Sequence, residues 1–131
     1  MEQTYQDIQN KLMKVVSEFL KAFPEASKKA LETEESWIID GETLEYVFFG
    51  FVVNSLTIDA LNNDNKPLLS RLFDFFEKMA ASSDKDVSDL LAYGTLEVLG
   101  DDKKLLKQAR KCMGKKTLAL SHATERLWGR E

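Results

Sequence analysis

Any metal site or nucleophile in this chain must be built from very few side chains, because its 131 residues contain one histidine, His122, and one cysteine, Cys112. Zinc and iron need several converging His, Cys or carboxylate ligands. His122-Ala123-Thr124-Glu125 sets two such groups a helical turn apart. Helical di-metal sites, however, use Glu-x-x-His and use it twice, so this segment reads as a surface pair. Cys112 follows Arg110 and Lys111, whose charge favours a thiolate. It also falls on a core-compatible helical position, and the favoured reading is a buried, inert thiol. Gly114-Lys115-Lys116-Thr117, at a helix start, could hold an anion on backbone N–H groups. An ordinary solvated turn is the stronger reading there, and neither common Gly-rich phosphate loop is present. Glu77 and Glu97 lie in apolar surroundings and form the one acid/base candidate. Against it, helical glutamates mostly face solvent or meet a neighbouring hydroxyl, which for Glu97 is Tyr93 one turn earlier. These readings give no catalytic residue, no metal and no cofactor, and the chain reads as non-enzymatic.

The elements that would position such groups are helical. The apolar share is 44%, with eight Phe, three Tyr and two Trp, while six Gly and two Pro give little of the turn punctuation a β-sandwich needs. Tyr5, Ile8, Leu12, Val15 and Phe19 recur at steps of three and four, and Pro24 closes that helix and opens another through Ala30 and Leu31. Asp40-Gly41 is a turn signal. In residues 44–61 the run Tyr46 to Val53 suits a buried strand by propensity. Its length and the stripe Leu44, Phe48, Phe51, Ser55 and Ile58 predict a central helix instead.

Asn65 and Pro67 open a helix with Leu69, Leu72, Phe76 and Met79 inward, and another starts near Ser83-Asp84 and stops at Gly100. A short helix follows Asp101-Asp102 with Leu105, Leu106 and Ala109 inside. A last one carries Leu120, Ala123 and Leu127 inward. The expectation is an all-α fold: residues 1–131 as a single domain, a compact bundle of six or seven helices. The lone cysteine and the polar first residues, with neither a basic start nor an apolar run, imply a reducing, cytoplasmic setting. The apolar run 46–58 is too short for a membrane span, which needs about 20 residues. The sequence leaves the oligomeric state open.

Charge is sharply divided along the chain. Residues 1–29 carry a net +1; residues 30–102 hold four basic and sixteen acidic side chains, net −12; residues 103–131 hold nine and two, net +7. Glu34, Glu35, Asp40, Glu42 and Glu45 follow one another with no Lys or Arg among them, interleaved with Trp37, Ile38 and Ile39. Such a segment reads either as a partner-binding surface, with acids that steer a basic protein and Trp37 as its anchor, or as a solvated loop whose indole folds back into the core. Lys103, Lys104, Lys107, Arg110, Lys111, Lys115 and Lys116 suggest nucleic acid as a competing ligand. A helix-turn-helix centred on Gly114 fits poorly, because Arg110 would stand where a small residue must pack. Nucleic acid is therefore the lesser reading.

Leu72-Phe73-Asp74-Phe75-Phe76-Glu77-Lys78-Met79, Val87-Ser88-Asp89-Leu90-Leu91, Thr95-Leu96-Glu97-Val98-Leu99-Gly100-Asp101-Asp102 and Met113-Gly114-Lys115-Lys116-Thr117 form a pattern across residues 68–119. It resembles the small helical immunity proteins of bacterial contact-dependent growth inhibition and related polymorphic toxin systems. The resemblance covers somewhat under half the chain, on mostly structural positions. It implies a cytoplasmic protein that binds one cognate toxin domain, often a nuclease, and blocks its active site. Nucleases are commonly basic because their substrate is anionic, and the −12 segment is complementary to such a surface. The alternative is a nucleic-acid-associated helical regulator that uses the basic C-terminal helices.

Overall fold

In the computed structural model, residues 4–131 are described, and they form an all-α fold. The first helix, Tyr5–Ala22, starts at a reciprocal cap in which Thr4 Oγ1 accepts from the Asp7 N–H at 3.1 Å and Asp7 Oδ2 accepts from the Thr4 N–H at 3.3 Å. Pro24 then opens a 3₁₀ turn, Pro24–Ala26, that runs into Ser27–Glu32. Arg71 braces this break. Its guanidinium takes Glu25 in two hydrogen bonds of 2.7 and 3.1 Å, donates to Ala22 O at 2.7 Å and lies over the Phe23 ring.

A one-turn helix, Glu34–Trp37, leads into a minimal hairpin, Ile38–Ile39 with Glu42–Thr43. With it the described residues contain eight helices, so this turn is the one that the expected six or seven omits. Asp40 and Gly41 both have positive φ, 53° and 77°, as a two-residue type I′ turn requires.

Residues 45–62 form the central helix despite their strand-like propensity. Its middle, Phe49–Val53, is a π-helical turn. A wider turn inserts one residue into the helical period, so the buried set is Glu45, Phe48, Phe49, Val52, Val53, Asn54, Thr57, Ala60 and Leu61. Of the expected stripe, Phe51 is thereby rotated off the core and 45% exposed, Ser55 is half-buried, and Ile58 keeps a partly buried place against the core. Residues 85–100 repeat the device with a π turn at Ala92–Leu96. The two wide turns meet at Gly94, where a Cβ would stand 3.3 Å from that of Phe49. Buried between them, Asn54 Nδ2 donates to Gly94 O at 2.8 Å, and Thr95 Oγ1 donates to Asn54 Oδ1 at 2.7 Å.

Helix Lys66–Ala80 is capped by Asn65 and buries Leu69, Leu72, Phe76 and Met79 as its spacing predicts. Asp102 caps Lys103–Arg110 through the N–H groups of Lys104 and Leu105, with Leu106 and Ala109 buried. The core centres on Phe19, whose ring lies 4.5 Å from that of Phe23 and 5.4 Å from that of Phe75, and packs against Phe48 and Phe49.

The last helix, Lys115–Leu127, departs from expectation: it buries Thr117, Ser121, Thr124 and Glu125, while Ala123 and Leu127 are exposed. Its inward face is polar because each group finds a partner. Ser121 Oγ accepts from Arg110 Nε, Thr124 Oγ1 donates to Leu120 O, and Glu125 takes Arg130 at 2.6 Å. Gly100 makes room for that pair, since a Cβ there would lie 2.2 Å from Glu125 Oε2. Among the described residues no helix is long and apolar enough to cross a membrane.

Candidate functional site

The acidic segment presents a surface different from the one its sequence suggests. Glu34, Glu35, Asp40 and Glu42 are exposed, and Ile39, 49% exposed, sits among them on the hairpin. Among the described residues none of these four carboxylates enters an ion pair. Trp37 is not an exposed anchor: it is 6% exposed, packs edge-on against Phe48 at 4.9 Å and donates its Nε1–H to Ala30 O at 3.1 Å. Folding back satisfies both the apolar ring and its one donor, so of the two readings of this residue the structure takes the core one.

Glu45 is not a rim charge either. It is 7% exposed at the first turn of the central helix, where Phe48 and Phe49 follow on the same inward face. Burial pushes its carboxyl above the ordinary range; its own backbone N–H opposes this, and neighbouring Glu42 reinforces it. Glu45 Oε1 is fully buried with no protein donor. Its three- and four-residue spacing to Phe48 and Phe49 was the sequence signal for this burial.

Beside the hairpin lies a groove of about 350 Å³ between the first helix and the start of the central one, lined by Tyr5, Ile8, Gln9, Leu12 and residues 44–47. Gln9 Nε2 donates to Thr43 O at 3.2 Å and so fastens the hairpin to the first helix. The Tyr46 phenol is pushed up, first by burial and then by Asp89, Asp86, Tyr93 and Glu45.

Glu77, Glu125 and His122 are held by different partners. Glu77 accepts from Lys116 N–H at 2.9 Å and from Thr117 N–H and Oγ1 at 2.8 Å each. An internal carboxylate thus takes the position that Gly114-Lys115-Lys116-Thr117 could offer to an anion. Desolvation works to raise the Glu77 pKa, but those three hydrogen bonds and the Lys116 charge outweigh it and hold the group below the ordinary range. Glu77 is therefore ionised and committed to a cap, not to proton transfer. Glu125 is bound by Arg130, and His122 Nδ1 instead contacts Glu131, so His122 and Glu125 do not act together. Burial, and then Asp64, raises the Cys112 thiol, which packs against the core. In the basic segment Arg110 pairs with Glu131, while Lys103, Lys104, Lys107 and Lys111 are exposed.

No curated protein and no solved structure matches the chain. Residues 16–129 match a family described as a domain of unknown function, DUF7674, a span that takes in both π turns, the acidic hairpin and the capped last helix. The chain therefore belongs to the DUF7674 family.

Proposed function

We propose that this chain is a protein-binding module of the immunity type, which acts in the cytoplasm and holds a basic toxin domain, a nuclease in the first instance, against its acidic hairpin. The observation that carries the reading is the set Glu34, Glu35, Asp40 and Glu42 around exposed Ile39, none of the four entering an ion pair among the described residues. Exposed acids of one sign raise the encounter rate with a cationic partner, and an apolar residue among them supplies contact area. The commitment of Glu77, one half of the acid/base candidate, to a helix cap supports a module without turnover of its own.

The test is co-expression of the full chain with the toxin domain encoded beside its gene, followed by association and dissociation rates at low and moderate salt. Reversing Glu34, Asp40 and Glu42 to Lys is expected to slow association at least several-fold and to flatten its salt dependence. Unchanged rates at both salts overturn the reading. The exposed lysines of the helix Lys103–Arg110 favour a second reading, a nucleic-acid-associated regulator. Its test is fluorescence anisotropy with duplex DNA: binding whose salt slope falls when Lys103, Lys104 and Lys107 become Gln supports it, and no binding at low salt excludes it.

A further inference from the structure

Glycine inside a helix weakens it relative to alanine, and it is ordinarily there because the backbone turns left-handed or because a neighbour leaves no room for a Cβ. Gly94, in the second π turn, is the crowded kind, with Phe49 against it. Gly50, in the first, is neither. Its φ lies outside the left-handed region, a Cβ there would meet nothing within 4 Å, and the residue is exposed. Nothing among the described residues requires the missing side chain. The surface around it is apolar. Phe51 follows it, and Tyr46, four residues before it, is 43% exposed. The second π turn packs alongside and turns Tyr93 outward, 40% exposed, from between buried Ala92 and Gly94. Val98, also exposed, shares with Gly50 a groove of about 590 Å³. Resting on the protein-binding reading, we infer that the outward face of the two π turns is the apolar half of the interface, and that the main chain of the basic protein partner lies directly across Gly50, flanked by Tyr46 and Tyr93.

Three properties of this face fit that occupant. A position without a Cβ lets another backbone come closer than any side chain would allow, which is the one use of Gly50 that the fold itself does not supply. Tyrosines held with the ring outward give large contact area for little conformational entropy and are among the residues that anchor interfaces; π turns, rare in themselves, recur at functional sites. The third property is charge. Asp86, Asp89 and Glu45 all act on the Tyr46 phenol, and Glu42 stands outward on the hairpin four residues earlier without an ion pair among the described residues. Cationic side chains beside the docked main chain therefore meet Glu42 on one side and aromatic faces on the other. The far rim of the groove carries both signs, Lys28 and Lys29 beside Glu25 and Glu32, so the preference for a basic partner comes from the Tyr46 end.

The experiment has two arms, both on the full chain. In the free protein Gly50→Ala is expected to keep or raise the thermal midpoint, because alanine favours the helix and has room. A lowered midpoint would mean that the wide turn itself needs glycine, and would overturn the inference without any partner. The second arm follows the complex with the toxin domain encoded beside the gene. Gly50→Gln and Tyr93→Ala are each expected to speed dissociation at least about ten-fold, and Gly50→Ala by less, with association rates within about two-fold of wild type. Dissociation unchanged in Gly50→Gln overturns the face. These outcomes are separate from the fate of the hairpin. If charge reversal on the hairpin slows association while Gly50→Gln dissociates like wild type, the hairpin stands and the face falls. If Gly50→Gln loosens the complex while reversal does nothing, the face stands and the hairpin falls. No complex at either salt overturns both.

Discussion

Glu77 and Thr117, forty residues apart, are joined by two hydrogen bonds of 2.8 Å, one from the threonine N–H and one from its hydroxyl, both to the same carboxylate oxygen. The contact closes the last helix onto helix Lys66–Ala80 and takes the place of the side-chain cap that Gly114 cannot provide.

Loss of this cap should be visible in stability. Glu77→Ala is expected to cost about 1–3 kcal/mol at neutral pH, the range for removing a charged acceptor from buried donors. Because the folded pKa lies below the ordinary range, the contribution is complete above that range and is lost as pH falls through the lowered value. Urea unfolding of wild type and variant from neutral to acid pH should show the gap closing on acidification. Gly114→Ala should share part of the defect, since its Cβ would come 2.6 Å from the Glu77 carboxyl.

Glu45 should behave in the opposite sense. Its folded pKa is raised, so the folded state holds the proton more tightly and stability falls as pH climbs from the ordinary range through the raised value. Glu45→Gln is expected to be more stable than wild type by about 1 kcal/mol above that value. Below the ordinary range, where both states of Glu45 are protonated, the two proteins should converge. Equal stability at neutral pH would contradict the burial of the charge.

At the junction of the π turns, Asn54→Ala should cost about 1–3 kcal/mol, because it strands Gly94 O and the Thr95 hydroxyl together. Thr95→Val alone should cost less. The double variant should fall short of the sum of the two, since both changes remove one shared bond. Strict additivity in chemical denaturation would mean that the bond is not formed.

Trp37→Ala should act on folding, not on binding. Truncating a core indole costs about 3–5 kcal/mol, whereas charge reversal at exposed Glu34 or Glu42 should change stability by no more than about 0.5 kcal/mol. Thermal unfolding of the three variants separates the cases.

Helix identity was legible wherever spacing and caps agreed, as in Asn65 with Leu69, Leu72, Phe76 and Met79. Two kinds of feature escaped that reading. The first is phase: a π turn has no local sequence signature comparable to a proline or a cap, so the stripe drawn through Phe51 missed the rotation that leaves it exposed. The second is long-range pairing. Nothing near Glu77 announces Thr117, and nothing near Glu125 announces that Gly100 would leave room for it as a buried residue. In the acidic segment the exposed carboxylates were legible from composition, but the division between outward Glu42 and inward Glu45 depends on where the hairpin ends and the helix begins.

For the docking proposed at the hairpin, its attachments have a consequence for speed. It is tied by Gln9 to Thr43 O, by the Leu44 N–H to Trp37 O and by the Trp37 indole to Ala30 O, while its tight turn leaves no slack between the strands. A ligand that meets this edge meets it already shaped, and little conformational entropy remains to be lost on docking. Complex formation at such an edge is governed by collision and orientation, with rearrangement contributing little to the barrier. Cutting the Gln9 tether would move the same set of charges from a preorganised regime into one where the loop must first be ordered.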